Sequence, residues 1–221
     1  MQRQEIGTLQ SVQVGAPHRY AIPGEEGKMW RTSFFREPSA EPRWLHRTHL
    51  DDNTQADKKN HGGLDQAVLF YAAAHYPLWA EELHLPAIGP GGFGENFTVV
   101  GLSEATVCVG DVYALDQARI QVSGPRYPCY KIARRWNISG LTERVAATGR
   151  TGWYARVLAE GLITPGMPLL LVERPYPQWT IALVNDLGHG RNHDVALAKD
   201  VASCPLMNQF WRTLITKRLL A

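Results

Sequence analysis

Apolar positions in the first 175 residues fall in short β-branched runs separated by turn residues. Residues 8–14, 97–100, 106–109, 119–123, 153–158 and 168–173 read as strands. Between them stand Gly62-Gly63, Gly89-Pro90-Gly91-Gly92, Gly110-Asp111, Gly124-Pro125 and Pro165-Gly166. Strands and turns this close together predict a barrel or sandwich rather than a βαβ repeat. One helical region interrupts them. Over residues 65–83, Val68, Tyr71, His75, Leu78 and Trp79 recur at helix-like spacing. Pro77 falls inside the run, so two helices are expected, with Pro77 opening the second. Residues 138–148 predict a further short helix.

Beyond Pro177 the period becomes helical, over 180–187, 193–202 and 206–219. In the last piece Leu206, Phe210, Trp211, Leu214 and Ile215 form one apolar stripe, so Phe210 and Trp211 read as core residues. Pro205 suits its first turn, and Lys217 and Arg218 its last, where the helix dipole favours cations. The division this suggests is a β-rich domain over 1–175 and a helical extension over 176–221.

A chain that is 44% hydrophobic, 10% aromatic and 20% charged is not intrinsically disordered. A net charge of +2 gives no basis for stable nucleic-acid binding. No stretch approaches the roughly 18 apolar residues of a membrane span. The N-terminal MQRQEIGTLQSVQVG lacks the apolar run of a signal peptide, so a cytoplasmic protein is expected. Cys108, Cys129 and Cys204 are too few and too scattered for a disulfide framework or a zinc motif.

Three segments can carry chemistry. SGPRYPCYK, over residues 123–131, places Cys129 after a proline and between Arg126 and Lys131. Cationic neighbours favour the thiolate, the form that ligates metals and attacks electrophiles. A buried structural cysteine is the alternative. KKNHGGLD, over 58–65, sets Lys59 and His61 beside Gly62 and Gly63, where backbone can approach an anion closely. A tight turn with Asp65 capping a helix fits equally well. GPGGFGEN, over 89–96, offers Glu95 and Asn96 from a flexible loop. It does not link a strand to a helix, so it is not a dinucleotide fingerprint. His189 and His193 are four apart, but Gly188 and Gly190 point to a solvated loop there.

Taken in order, several segments resemble the MOSC family, the domain at the C-terminus of molybdenum-cofactor sulfurases, and within it the bacterial stand-alone YiiM-like branch. They are Lys59-Asn60-His61-Gly62-Gly63, Phe93-Gly94-Glu95-Asn96-Phe97, Val109-Gly110-Asp111 and Ile120-Gln121-Val122-Ser123. Pro125-Arg126-Tyr127-Pro128-Cys129-Tyr130-Lys131, Thr151-Gly152-Trp153 and Gly166-Met167-Pro168-Leu169 complete the set. The resemblance implies a mainly β fold: a MOSC-type β-barrel with peripheral helices and a small three-helix C-terminal extension. It implies a molybdenum cofactor (molybdopterin), with Cys129 as the protein ligand to the metal. The implied contacts to the cofactor are Lys59, His61, Gly62, Gly63, Asn96, Arg126, Cys129 and Tyr130, with Cys129, His61 and Lys131 as the catalytic set.

The implied activity is reduction of N-hydroxylated compounds, such as hydroxylaminopurine-type bases, to amines, a detoxification that is independent of pyridoxal phosphate. Electrons would come from a separate flavin-type reductase, since the chain carries no flavin or iron–sulfur motif. The apolar stripe of the last helix also allows a homodimer. Cys129 could instead serve a sulfur carrier, a cofactor-delivery protein or, with His61, a thiol hydrolase. Residues 28–50, dense in Trp30, Phe34, Phe35 and Trp44, do not match the family pattern closely and would alter the mouth of the pocket.

Overall fold

The computed structural model describes residues 4–57 and 62–219. In chain order its elements are β1 Gln4–Val14, β2 His18–Ala21, β3 Met29–Thr32, β4 Glu37–Ser39, β5 Arg43–Leu45, a 3-10 turn Leu64–Gln66, β6 Val68–Ala72 and α1 His75–Glu82. They continue with β7 Phe97–Val100, β8 Val112–Leu115, β9 Ala118–Pro125, α2 Lys131–Trp136, α3 Leu141–Thr148, β10 Trp153–Ala159, β11 Gly161–Ile163 and β12 Pro168–Glu173. The chain then forms α4 Ile181–Gly188, α5 Val195–Ser203 and α6 Gln209–Leu219.

Seven strands close into a mixed barrel in the order β12-β8-β9-β10-β6-β7-β1, with β1 returning to β12. Every neighbour in it is antiparallel except β6 and β7. Inside, Phe70 stacks on Trp153 at 5.8 Å and meets Phe97 edge-on at 5.0 Å. Each such ring sheds its contact with water, and the stacked geometry adds about 0.5–1.5 kcal/mol per pair beyond burial alone.

The mainly β expectation holds, and five local expectations do not. Residues 68–72 form β6 rather than a helix. All five are buried, so the strand lacks the in–out alternation that would betray it. The helix begins at His75, with Pro77 in its first turn, as expected for the second of the pair. Residues 106–109 form a turn in which Cys108 makes only an isolated bridge to Thr180, and the strand nearby is β8. Asp65 caps nothing; its carboxylate accepts instead from Arg156 Nε at 2.8 Å. The last helix starts at Gln209, four residues beyond Pro205, and Phe210 lies 47% exposed while Trp211 is buried.

The three C-terminal helices are recognisable from their caps. Thr180 Oγ1 accepts from Leu183 N at the start of α4, and Asp194 does the same for Leu197 N at the start of α5. Ile181, Val184, Val201, Trp211 and Ile215 join the barrel side chains in one continuous apolar core. A second cluster, built on Tyr71, Trp79, Phe93, Ile132 and Val145, fills the space under α1, α2 and α3.

Candidate functional site

Cys129 sits in the connection from β9 to α2, which is fixed at several points. Arg126 N donates to the Gly152 carbonyl at 3.0 Å, holding the connection to the head of β10. The Cys129 carbonyl accepts from Ile132 N at 3.1 Å and from Thr142 Oγ1 at 3.2 Å. Tyr127 stacks on His189 at 5.3 Å, against the end of α4. Cys108 and Cys204 are buried, whereas Cys129 is half-buried and opens onto a cleft.

The cleft spans about 570 Å³, including its open mouth. One wall is Phe34 and Arg36, from the segment between β3 and β4. Leu69 of β6 and Tyr154 of β10 form another, and Gly94 and Asn96 a third. Asp57, Gly62 and Gln66 lie along the remaining side, with Gly62 N donating to Gln66 Oε1 at 3.4 Å. Arg126 and Lys131 complete the lining beside Cys129.

The electrostatics of this cleft are cationic and unsatisfied. Arg126 is 3% exposed and Lys131 9%. Arg126 Nη1, Arg36 Nε and Arg36 Nη1 are buried without a hydrogen-bond partner. A buried donor left unpaired costs about 1–3 kcal/mol, more when charged. Burial pulls the Arg36 guanidinium down to about 10, with nearby Arg126 adding to the shift and Tyr154 and Glu95 opposing it. The Tyr154 phenol is pushed up, by burial first and by the Cys129 thiol as well, against the pull of Arg126. The Arg126 guanidinium lies 5.8 Å from the Phe34 ring centroid.

Of the residues singled out from sequence, Cys129, Arg126, Lys131, Gly62 and Asn96 come together around the cleft. Asn96 is fully engaged: Oδ1 accepts from Leu69 N at 3.2 Å and Nδ2 donates to the Gln13 carbonyl at 3.3 Å, tying β6 to β1. Gly63 caps the 3-10 turn and does not line the cleft. Tyr130 points elsewhere. It is 58% exposed, with the Arg134 guanidinium 5.0 Å from its ring, over a groove shared with Ile22 and Pro23. Lys59 and His61 lie outside the described residues.

Glu95 does not sit in a flexible loop. It is fully buried, and accepts from Gly91 N at 2.7 Å, Phe93 N at 3.2 Å, Thr98 Oγ1 at 2.9 Å and the Tyr76 hydroxyl. This carboxylate folds the glycine-rich turn around itself, which is why the turn is buried. His189 is not solvated either, being half-buried between Tyr127 and Trp211. His193 is exposed as expected.

Arg36 and Tyr154 were not among the candidates. Arg36 belongs to the aromatic and basic stretch over 28–50, whose density was the available signal. Tyr154 follows Trp153 on β10, and alternation along that strand would have turned it away from the Trp153 side. Among the described residues, no group of three or more His, Cys, Asp or Glu could hold a metal ion. One thiol amid cations suits a metal that arrives with most of its donors on an anionic cofactor. The unpaired guanidinium nitrogens fit the anionic part of such a group.

A family model for the MOSC domain matches residues 57–169. The uncharacterized protein YflK of Bacillus subtilis is 36% identical over 216 residues, covering 98% of this chain and 96% of its own. A protein of Gibberella moniliformis named as a reductase is 33% identical over 207 residues, which cover 92% of this chain and 36% of that longer one. The crystal structure of YiiM from Geobacillus stearothermophilus superimposes with a TM-score of 0.80 at 34% identity, over 96% of this chain and 99% of that one.

Proposed function

Since this chain belongs to the MOSC domain family, a family that binds the molybdenum cofactor, we propose that it holds that cofactor in the Cys129 cleft and reduces N-hydroxylated compounds to amines. The observation that carries this reading is the half-buried Cys129 thiol in one cleft with Arg36, Arg126 and Lys131. The reaction balances as R–NHOH + 2 H⁺ + 2 e⁻ → R–NH₂ + H₂O, with hydroxylaminopurine-type bases as the substrate class. The electrons come from a separate flavin-type reductase. The longer Gibberella protein that shares this region is named as a reductase, which supports a redox role.

When bound, the cofactor supplies the two-electron redox chemistry. The chain's residues do the rest. Cys129 would hold the metal through its sulfur, in the cleft that Arg126 and Lys131 also line. Arg36 and Arg126 bind the anionic periphery of the cofactor through nitrogens that the protein leaves unpaired. Lys131, nearly buried at the start of α2, lines the cleft beside Cys129. Phe34 and Leu69 supply the apolar surface that excludes water from the reacting group. No helix among the described residues is long and apolar enough to cross a membrane.

The test is molybdenum per chain by elemental mass spectrometry, on protein from cells that make the cofactor, with Cys129→Ala alongside. Near-stoichiometric metal in the wild type, lost from the variant, supports the reading. Metal and pterin absent from both overturn it and favour a sulfur-carrier role for Cys129, which cyanide-releasable sulfur then tests.

A further inference from the structure

The two-stranded ribbon of β2 and β3 has two unlike faces. Its register pairs His18 with Thr32, Arg19 with Arg31, Tyr20 with Trp30 and Ala21 with Met29. Side chains alternate along each strand, so Tyr20, Trp30 and Thr32 share one face. Trp30 and Thr32 are buried, and Tyr20 stacks on Phe35 at 4.1 Å. The Trp30 ring stands 6.4 Å from Tyr130, with the Arg134 guanidinium 5.2 Å from the first and 5.0 Å from the second. The ribbon is thereby pinned to the residue after Cys129 and to α2. Arg19, Ala21, Met29 and Arg31 are exposed on the opposite face. Among the described residues, neither the Arg19 nor the Arg31 guanidinium has an ion-pair or hydrogen-bond partner. Like charges directly opposite each other weaken a strand pair. The ribbon therefore carries a repulsion that its own fold does not use. In the connecting turn Lys28 and Glu25 neutralise each other at 2.8 Å, and Glu26 is the remaining acid. The cleft lining begins at Ser33, two residues past Arg31.

We propose that the Arg19–Arg31 face of the ribbon docks an acidic, flavin-carrying protein that delivers electrons at the mouth of the cleft. The inference rests on the reductase reading and adds the place where its donor binds. Carboxylates on a partner cancel the repulsion between the two guanidiniums, steer the encounter and release easily as salt rises. Arginine and methionine are enriched in protein interfaces, and exposed Met29 supplies the apolar contact beside the charges. So small a face suits the brief, low-area encounters of electron transfer rather than a permanent complex. A nucleic acid asks for a longer track of phosphate contacts than two guanidiniums offer, and the whole chain carries only +2. The electrons balance: FMNH₂ → FMN + 2 H⁺ + 2 e⁻ supplies the pair that one N-hydroxyl group consumes.

The probe is a flavodoxin, an acidic protein that carries FMN, titrated by calorimetry into protein from cofactor-making cells. Wild type is expected to bind it at low salt, and more weakly at about 0.15 M salt. Arg19→Glu with Arg31→Glu is expected to bind about tenfold more weakly or worse, and Arg19→Gln with Arg31→Gln to fall between. Thermal melting checks that each variant folds; should the charge-reversed pair fail to fold, the glutamine pair carries the comparison. A second arm measures turnover of an N-hydroxylated base. Flavodoxin-driven turnover should slow in both variants. Turnover driven by reduced methyl viologen, a small cation that a basic face does not attract, should match wild type. Equal flavodoxin affinity in all three proteins, or none in wild type, overturns the docking face. So does a DNA duplex that binds wild type more tightly than flavodoxin and is lost from the same variants. Arginine-dependent flavodoxin binding in a protein without molybdenum supports the face and removes the cofactor reading. Stoichiometric molybdenum and viologen-driven turnover without flavodoxin binding do the reverse.

Discussion

The indole Nε1 of Trp211 donates to the Pro125 carbonyl at 2.6 Å. The last helix therefore grips the end of β9, four residues before Cys129. Asn208 adds two bonds to the same strand, from its backbone N and its Nδ2 to the Ser123 carbonyl, at 2.8 and 3.1 Å. The C-terminal helices are in this way part of the support for the cysteine loop.

Trp211→Phe keeps an aromatic ring in the core and leaves the Pro125 carbonyl without its donor. The expected loss is about 1–3 kcal/mol of stability, the cost of an unpaired buried acceptor. Chemical denaturation measures it, and a lower metal content per folded chain would report the effect on the loop. An unchanged midpoint would remove Trp211 from this role.

Arg174 donates to Asp111 through Nε and Nη2, at 2.8 and 2.7 Å, and Asp111 is fully buried. The same carboxylate accepts from Cys108 N and the Tyr113 hydroxyl. Arg174→Met strips the charge partner from a buried carboxylate and is expected to cost about 3–5 kcal/mol. The double variant Arg174→Met with Asp111→Asn should recover part of that loss, which a double-mutant cycle measures.

Cys129 is expected to be the one thiol that alkylating reagents reach in the folded protein, because Cys108 and Cys204 are buried. Burial, with the Asp111 carboxylate adding to it, pushes the Cys108 thiol up from the ordinary 9.0 to about 11. The unfolded chain therefore releases this proton first as pH rises. Stability should decline between pH 9 and 11 by a component that Cys108→Ala removes. Mass spectrometry after alkylation near pH 8 checks the first statement, and alkaline denaturation curves the second.

His189 is held below its ordinary 6.5, by burial first and by Arg191 and Arg218 next. The unfolded chain takes up that proton more readily, so this group withdraws stability as pH falls through 6.5. His189→Gln is expected to flatten the acid side of the stability profile between pH 6.5 and 5. A slope identical to wild type would remove His189 as its cause.

Gly94 has φ +74°, and a Cβ there would stand 2.7 Å from the Phe34 ring. Gly94→Ala is expected to cost about 1–3 kcal/mol through backbone strain. It would also displace Phe34 toward the cleft. Thermal melting reads the first effect and bound pterin the second.

The cysteine motif was legible because its chemistry is contiguous: Arg126, Cys129 and Lys131 lie within six positions and fold into one lining. The C-terminal helices were legible from their helical period, and the structure adds Thr180 and Asp194 as caps of α4 and α5. β6 was not, because a strand buried on both faces shows no alternation, and Val68, Tyr71 and His75 happen to repeat at helical intervals. Arg36 was missed for another reason. Its place in the cleft depends on Arg135 holding the Phe34 carbonyl, 101 positions away, and no local pattern records such a contact. Glu95 looked solvated because glycines surround it, while the glycines are there to let backbone N–H groups converge on its carboxylate.

The barrel is sealed by β1 against β12, with Gln4 opposite Leu171. The two strands that close the ring are thus the first and last strands along the chain, and synthesis must run nearly to the end of the β-rich part before the ring can exist. Contacts of such long range form late and slowly. Leu69 and Tyr154, which face each other in the cleft from neighbouring strands, inherit that order. A nascent chain has no finished cleft to offer, so whatever this cleft binds can enter only after the last strand has closed the ring.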